Sequence, residues 1–287
     1  MSYRRRASPL HAARAGAGCA YCFALALAAL VLSHPLALAA LALAALGAGV
    51  AAGVGRELRR AALFALPLAL AVALINALVT RDGLTVILRL GDLPVLGHTD
   101  VTLEATAYGG ILGLRALVLI LCGALYTAAV DPDEVLKLLR RVSFRSALTA
   151  TLATRMVPML ARDAHRLADA QRCRPGASAS RLALMRAASA GALDRALDVA
   201  AALETRGYGA ARTPPRARRP YSRHDLAFAA AAVALVALAV GARIGGVAKF
   251  VAYPSLRAPL GAEQIVLAIA LLAIALLPFA DRRGVGK

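Results

Sequence analysis

The chain has 287 residues, 60% of them hydrophobic, 17% charged and 5% aromatic, and it carries a net charge of +18. Soluble domains are about 45–50% apolar and about 25% charged, so a soluble enzyme, a disordered chain and a disulfide scaffold are excluded. The charge does not point to nucleic acid. Trp is absent, no basic stripe is interleaved with aromatics, and basic residues flanking apolar spans are what the positive-inside rule produces.

Arg4-Arg5-Arg6 ahead of an apolar run imitates a signal peptide, but the run continues past Pro35 into a second apolar segment and is read as a retained first span. The arginines lack the apolar residue and Lys of a twin-arginine export signal. Residues 15–55 contain no Asp, Glu, Lys or Arg. Ser33-His34-Pro35 divides them into spans at 15–32 and 36–55, each about one bilayer long, forming a tight hairpin. Cys19 and Cys22 have CxxC spacing without a second ligand pair, so they read as small apolar helix residues. Arg56, Arg59 and Arg60 mark a basic turn. The third span, 61–79, contains Pro67 and Asn76, the latter read as a helix-packing hydrogen bond.

Residues 80–104 are net acidic. Asp82-Gly83 and Gly91-Asp92 are turn dipeptides, and the stretch Leu84–Leu90 between them is either a short strand or an interfacial helix. The fourth span, 105–130, is interrupted by Arg115. A charge inside a span is expensive, which leaves two readings open: a functional residue, or one that snorkels or is paired within the protein.

Asp131-Pro132-Asp133-Glu134 has the form of a helix start, with an N-cap Asp, Pro at the first position and acids in the first turn. A long amphipathic helix is predicted over 144–174, with Leu148, Leu152, Met156, Met159, Leu160, Ala164 and Leu167 at helical spacing and a kink at Pro158. Pro175-Gly176 ends it. A second helix is predicted over 181–206, with Leu182, Met185, Leu193, Leu197 and Ala200 along one side and Gly207 as its C′ residue. A basic, proline-bearing linker precedes two further spans at 225–242 and 262–280. The resulting organisation is a four-span region (1–130), a region of long amphipathic helices (131–224) and a two-span region (225–287).

Topology follows from the basic residues. With six spans and both termini on one side, that side receives 28 Lys or Arg, 18 of them in residues 131–224, and the other side receives five. The long amphipathic segment and both termini are therefore expected in the cytoplasm. His11, His34, His98, His165 and His224 are scattered without ligand spacing, and no phosphate-binding GxxxxGK[ST] loop occurs. No metal site, cofactor or ATP-binding site of its own is expected.

Two arginine-bearing helix ends remain: Arg172-Cys173-Arg174-Pro175 and Thr205-Arg206-Gly207. Cations are favoured at helix C-termini, which would explain either one alone. As a pair, 32 residues apart and each closing a long helix, they resemble the ends of the two coupling helices in the transmembrane T component of energy-coupling factor (ECF) transporters, including the CbiQ-like subunits of cobalt uptake systems. Arg155-Met156-Val157-Pro158 resembles an Arg-Phe-Ile-Pro stretch of the family's first coupling helix. Asp131–Glu134 resembles its segment after the fourth span, and Asn76 an Asn-Pro of the third. The likeness covers most of the chain and is strongest from Asp131 to Gly209. Cys173 and Thr205 stand where the family has Ala, and Pro175 where it has Gly or Ser. The first docking residue is thus Arg172 or Arg174, with the alignment of Gln171 and Gly176 favouring Arg174.

The resemblance implies an all-α polytopic membrane protein of about six spans with two long cytoplasmic coupling helices. It implies a non-catalytic subunit of an ATP-driven vitamin or transition-metal importer in a bacterial or archaeal plasma membrane. Its partners would be two cytosolic ABC-type ATPases and a substrate-binding membrane (S) subunit. Arg174, Arg206, Arg172 and Gly207 would meet the ATPases, with Arg155 and Pro158 structural in the first coupling helix. The alternatives are a self-contained secondary transporter or channel, which would need a polar midplane site, and a scaffold that binds anionic lipid.

Overall fold

A computed structural model describes residues 6–79, 85–93, 97–139, 144–173, 181–205, 207, 221–247 and 261–281. Its elements are α1 (Pro9–Ala12), α2 (Ala15–Val31), α3 (Pro35–Ala51), α4 (Gly55–Val79), β1 (Val86–Leu93), β2 (Gly97–Thr102), α5 (Leu103–Ala129), α6 (Pro132–Leu139), α7 (Phe144–Arg172), α8 (Arg181–Thr205), α9 (Arg223–Ile244) and α10 (Ala262–Leu276), closed by a 3₁₀ turn at Leu277–Phe279. The chain divides into two compact units, one of residues 1–135 and 221–287, the other of residues 136–220.

The all-α polytopic expectation holds. Among the described residues four helices are long and apolar enough to cross a membrane: α4, α5, α9 and α10 with its 3₁₀ turn. The first pair, expected to be full spans, is shorter. With 17 residues each, α2 and α3 are about 25 Å long, against a hydrocarbon core of about 30 Å. Pro35 causes the break: it pre-sets the first turn of α3 and holds His34 extended at φ −78°, ψ 131°. The far end of α3 closes by a Schellman pattern. Gly53 takes φ +77°, its N–H bonds Val50 O, and Val54 N–H bonds Gly49 O. The basic run at Arg56–Arg60 is not a turn but the first two turns of α4.

In the first unit α2 packs on α5 and α9, and α3 packs on α5 and α10. Tyr21, Phe228 and Phe279 form an edge-to-face cluster with centroids 5.1–6.1 Å apart. The Tyr21 hydroxyl donates to Ala275 O at 2.8 Å, which satisfies a buried polar group that would otherwise be costly. On the other flank α4 packs on α5 through small residues. Gly109 and Gly113 sit over the backbone carbonyls of Ala73 and Ala69, so closely that a Cβ at either glycine would overlap the oxygen. This is the small-xxx-small contact that lets membrane helices approach. The opposite face of α4 is exposed, with Phe64 at 78% and Leu70 at 71%, as suits a helix facing lipid.

Strands β1 and β2 form an antiparallel ribbon, pairing Val86 with Thr102 and Leu93 with Gly97 across two irregularities. The open choice between strand and interfacial helix thus falls to strand. Thr85 ties the ribbon to α5: its hydroxyl donates to Glu104 Oε1 at 2.9 Å and its N–H to Oε2 at 3.3 Å.

Arg115, the thirteenth of the 27 residues of α5, is paired within the protein. Its Nε donates to Ala29 O at 3.1 Å, and its Nη2 to Leu32 O at 3.0 Å and Ser33 Oγ at 3.3 Å. The last carbonyls of a helix have no partner of their own. The guanidinium fork supplies donors to two of them at the buried end of α2.

Candidate functional site

The second unit holds α7 and α8, which pack on each other. In α7 the positions Leu152, Met156, Leu160, Asp163, Leu167 and Gln171 are half-buried. In α8 the corresponding set is Leu184, Ala188, Ala192, Arg195, Val199 and Leu203. Both stripes advance by four, four, three, four and four residues, the spacing of a helix–helix seam. The fourth position of each stripe is charged, and the two charges meet: Arg195 Nη1 lies 2.8 Å from Asp163 Oδ2. An ion pair at this place favours one register of two helices whose other seam residues are uncharged and, Gln171 apart, apolar.

The face of α8 that sequence periodicity singles out is a different one. Leu182, Met185, Leu193 and Leu197 are 63–75% exposed, and Ala200 is exposed as well. The α8 helix is therefore apolar on two sides, one closed against α7 and one open. On α7, Val157 (65%) and Met159 (40%) are exposed in the same way, flanking Pro158.

The site residues expected from sequence divide into two groups. Arg174 and Arg206 lie outside the described residues. Arg172 ends α7 with its side chain 81% exposed and pairs at 3.4 Å with Asp169 one turn back. Gly207 has φ +73° and its N–H bonds Glu204 O at 2.9 Å, the left-handed closure expected of a C′ glycine after α8. Arg155 is exposed on α7. The α7 helix runs as one element through Pro158, whose carbonyl accepts from Arg162 Nε at 3.2 Å.

The family model of the CbiQ cobalt transport proteins matches residues 6–215, almost three quarters of the chain and the whole stretch from α1 through α8. The chain belongs to the CbiQ cobalt transport protein family. A comparison with curated proteins returns no match. This CbiQ-family chain is thus a membrane component of a micronutrient transport system, and the resemblance read from its sequence is borne out at the level of the family.

Sequence reasoning missed Asp163 and Arg195. The available signal was their shared place in two stripes of identical spacing, legible once α7 and α8 are aligned against each other. Reasoning from ligand chemistry had also left the histidines without a role. The structure gives two of them local ones: His34 Nδ1 accepts from Leu36 N–H at 3.3 Å at the start of α3, and His11 Nδ1 lies 2.7 Å from Ser8 Oγ.

Proposed function

We propose that this CbiQ-family chain is the transmembrane coupling subunit of an ATP-driven ECF-type importer of a vitamin or transition-metal ion, without catalytic activity of its own. Two cytosolic ABC-type ATPases would grip the ends of α7 and α8 through Arg174 (or Arg172) and Arg206. A guanidinium binds a carboxylate through two parallel hydrogen bonds, and so follows its partner's movement without slack. A substrate-binding membrane subunit would be displaced in turn. Both termini and residues 136–220 would lie in the cytoplasm, as the asymmetry of Lys and Arg favours.

The observation that carries this reading is the second apolar face of α8. A helix that has already buried one face against α7 gains nothing in water from presenting Leu182, Met185, Leu193 and Leu197 at 63–75% exposure. Such a patch marks a surface for a partner. Uptake into vesicles and co-purification with the ATPases test the proposal. Arg174→Ala and Arg206→Ala should each weaken ATPase docking, and the double variant should abolish uptake with its melting temperature unchanged. Normal uptake by the double variant refutes the coupling role.

A further inference from the structure

The chain leaves the first unit after Val135 and re-enters it at Tyr221, and both of these roots are hydrogen-bonded to the same helix end. At the outgoing root, Glu134 Oε2 accepts from Ala15 N–H at 3.3 Å. At the returning root, Asp225 Oδ1 accepts from Arg14 N–H at 2.6 Å, and Oδ2 accepts from Ser222 N–H at 2.8 Å and lies 3.4 Å from Arg14 Nε. The Arg14 guanidinium stacks on Tyr221, 4.4 Å from the ring centroid. One carboxylate thus closes the N-termini of α2 and α9 together, and a second closes α2 from the first turn of α6. Helix N-termini favour anions, and Asp225 is only 4% exposed, where charge-assisted bonds are strong and directional.

The other end of α2 is tied as firmly. Arg115 of α5 holds Ala29 O, Leu32 O and Ser33 Oγ, and α5 in turn is joined to α4 by the backbone contacts at Gly109 and Gly113. Between its two ends, α2 is a single helix whose Tyr21, Leu25 and Ala29 are wholly buried. It is hydrogen-bonded at one end to the two roots of the 136–220 unit and at the other to Arg115, in the middle of α5.

We propose that α2 is the rod that carries displacement from the roots of the coupling hairpin to the α4–α5 pair, with Arg14 and Asp225 as the input joint and Arg115 as the output joint. This rests on the coupling role proposed above. The joints are positioning residues: they touch neither nucleotide nor cargo, and they act by keeping movement at one end from being absorbed before it reaches the other.

The test uses the transporter assembled with its ATPase and substrate-binding partners in proteoliposomes, reading uptake and ATP hydrolysis on the same sample. Asp225→Asn keeps the side-chain shape but weakens the pairing with Arg14. Arg115→Lys keeps the charge but loses the fork that spans two carbonyls. Each should lower uptake about ten-fold while ATP hydrolysis stays within about two-fold, a range typical of a lost coupling between sites. Because both would break the same path, the double variant should be no worse than the poorer single one. Tyr221→Ala, which removes only the stacked ring, should shift the uptake-to-hydrolysis ratio in the same direction by less, and it guards against a variant that fails to assemble. Glu104→Gln, at the ribbon end of α5, should leave the ratio unchanged. A ratio unaltered in Asp225→Asn and Arg115→Lys, or uptake and hydrolysis falling together with the melting temperature, overturns the rod. If the Arg174/Arg206 double variant transports normally, the coupling role itself is lost. If that variant is dead but the joint variants keep a normal ratio, only the rod is lost.

Discussion

The membrane unit and the α7–α8 hairpin use the same residue types to opposite ends. In the membrane unit, leucines such as Leu25, Leu121 and Leu125 are fully buried, while in the hairpin Leu193 and Leu197 are each 63% exposed. In the membrane unit glycine marks backbone contact, as at Gly113 over Ala69. In the hairpin Gly191 has nothing within 4 Å of where a Cβ would be. Carboxylates differ likewise: Asp225 is sealed among three donors, whereas Asp163 keeps 29% of its side chain exposed beside Arg195. Apart from outward faces such as that of α4, the first region closes its large side chains on one another, whereas the hairpin leaves one apolar side of α8 open.

Matched substitutions sharpen the contrast, read as unfolding of the isolated subunit in detergent. The largest effect is expected for Leu121→Ala, which empties a buried site and should cost about 2–5 kcal/mol, against a change within about 0.5 kcal/mol for Leu193→Ala on the open face. Equal losses at the two positions would show that the hairpin is buried in the isolated subunit and would break the comparison.

Gly113→Ala forces a methyl group onto the Ala69 carbonyl and should cost about 1–3 kcal/mol. Gly191→Ala has room and should stabilise α8 by about 0.8–1 kcal/mol, the propensity gain of Ala over Gly. A gain in melting temperature accompanied by lost uptake in Gly191→Ala would locate a partner's backbone at that bare position.

Among the carboxylates, Asp225→Ala leaves buried donors without an acceptor and should cost about 1–3 kcal/mol. Asp163→Ala breaks a pair that water partly screens and should cost about 0.2–1 kcal/mol. A double-mutant cycle on Asp163 and Arg195 measures the latter directly. Raised salt should shrink the Asp163–Arg195 coupling and leave that of Arg14 with Asp225 nearly intact.

Much of this architecture was legible in the sequence because long uncharged runs have one stable fate in a bilayer. The apolar blocks gave the helices, Asp131-Pro132-Asp133-Glu134 gave the start of α6, where Asp133 N–H bonds Asp131 Oδ1 at 2.9 Å, and Gly207 gave the left-handed stop. The inner side of α8 was not legible. Leu182, Met185, Leu193 and Leu197 make as good a stripe as Leu184, Ala188, Ala192, Val199 and Leu203, and periodicity reports that a face is apolar without reporting what lies against it. Gly109 and Gly113, four residues apart in an apolar run, were a readable packing signal that ligand-minded reading passed over. The partners of Arg115 were not readable at all, since backbone carbonyls leave no mark in a sequence.

The sequence by itself determined that this chain is helical, membrane-embedded and asymmetric in charge, and that it carries two long amphipathic helices, over 144–172 and 181–205. These follow from local composition and period, which act within a few residues. Only the tertiary structure decided which apolar stripe of α8 closes on α7, that Arg115 serves a helix end 83 residues away from it at Leu32, and that Asp225 reaches back 211 residues to the start of α2. Such choices depend on the free energy of burying particular groups together, and that is set by neighbours the chain meets only after it has folded.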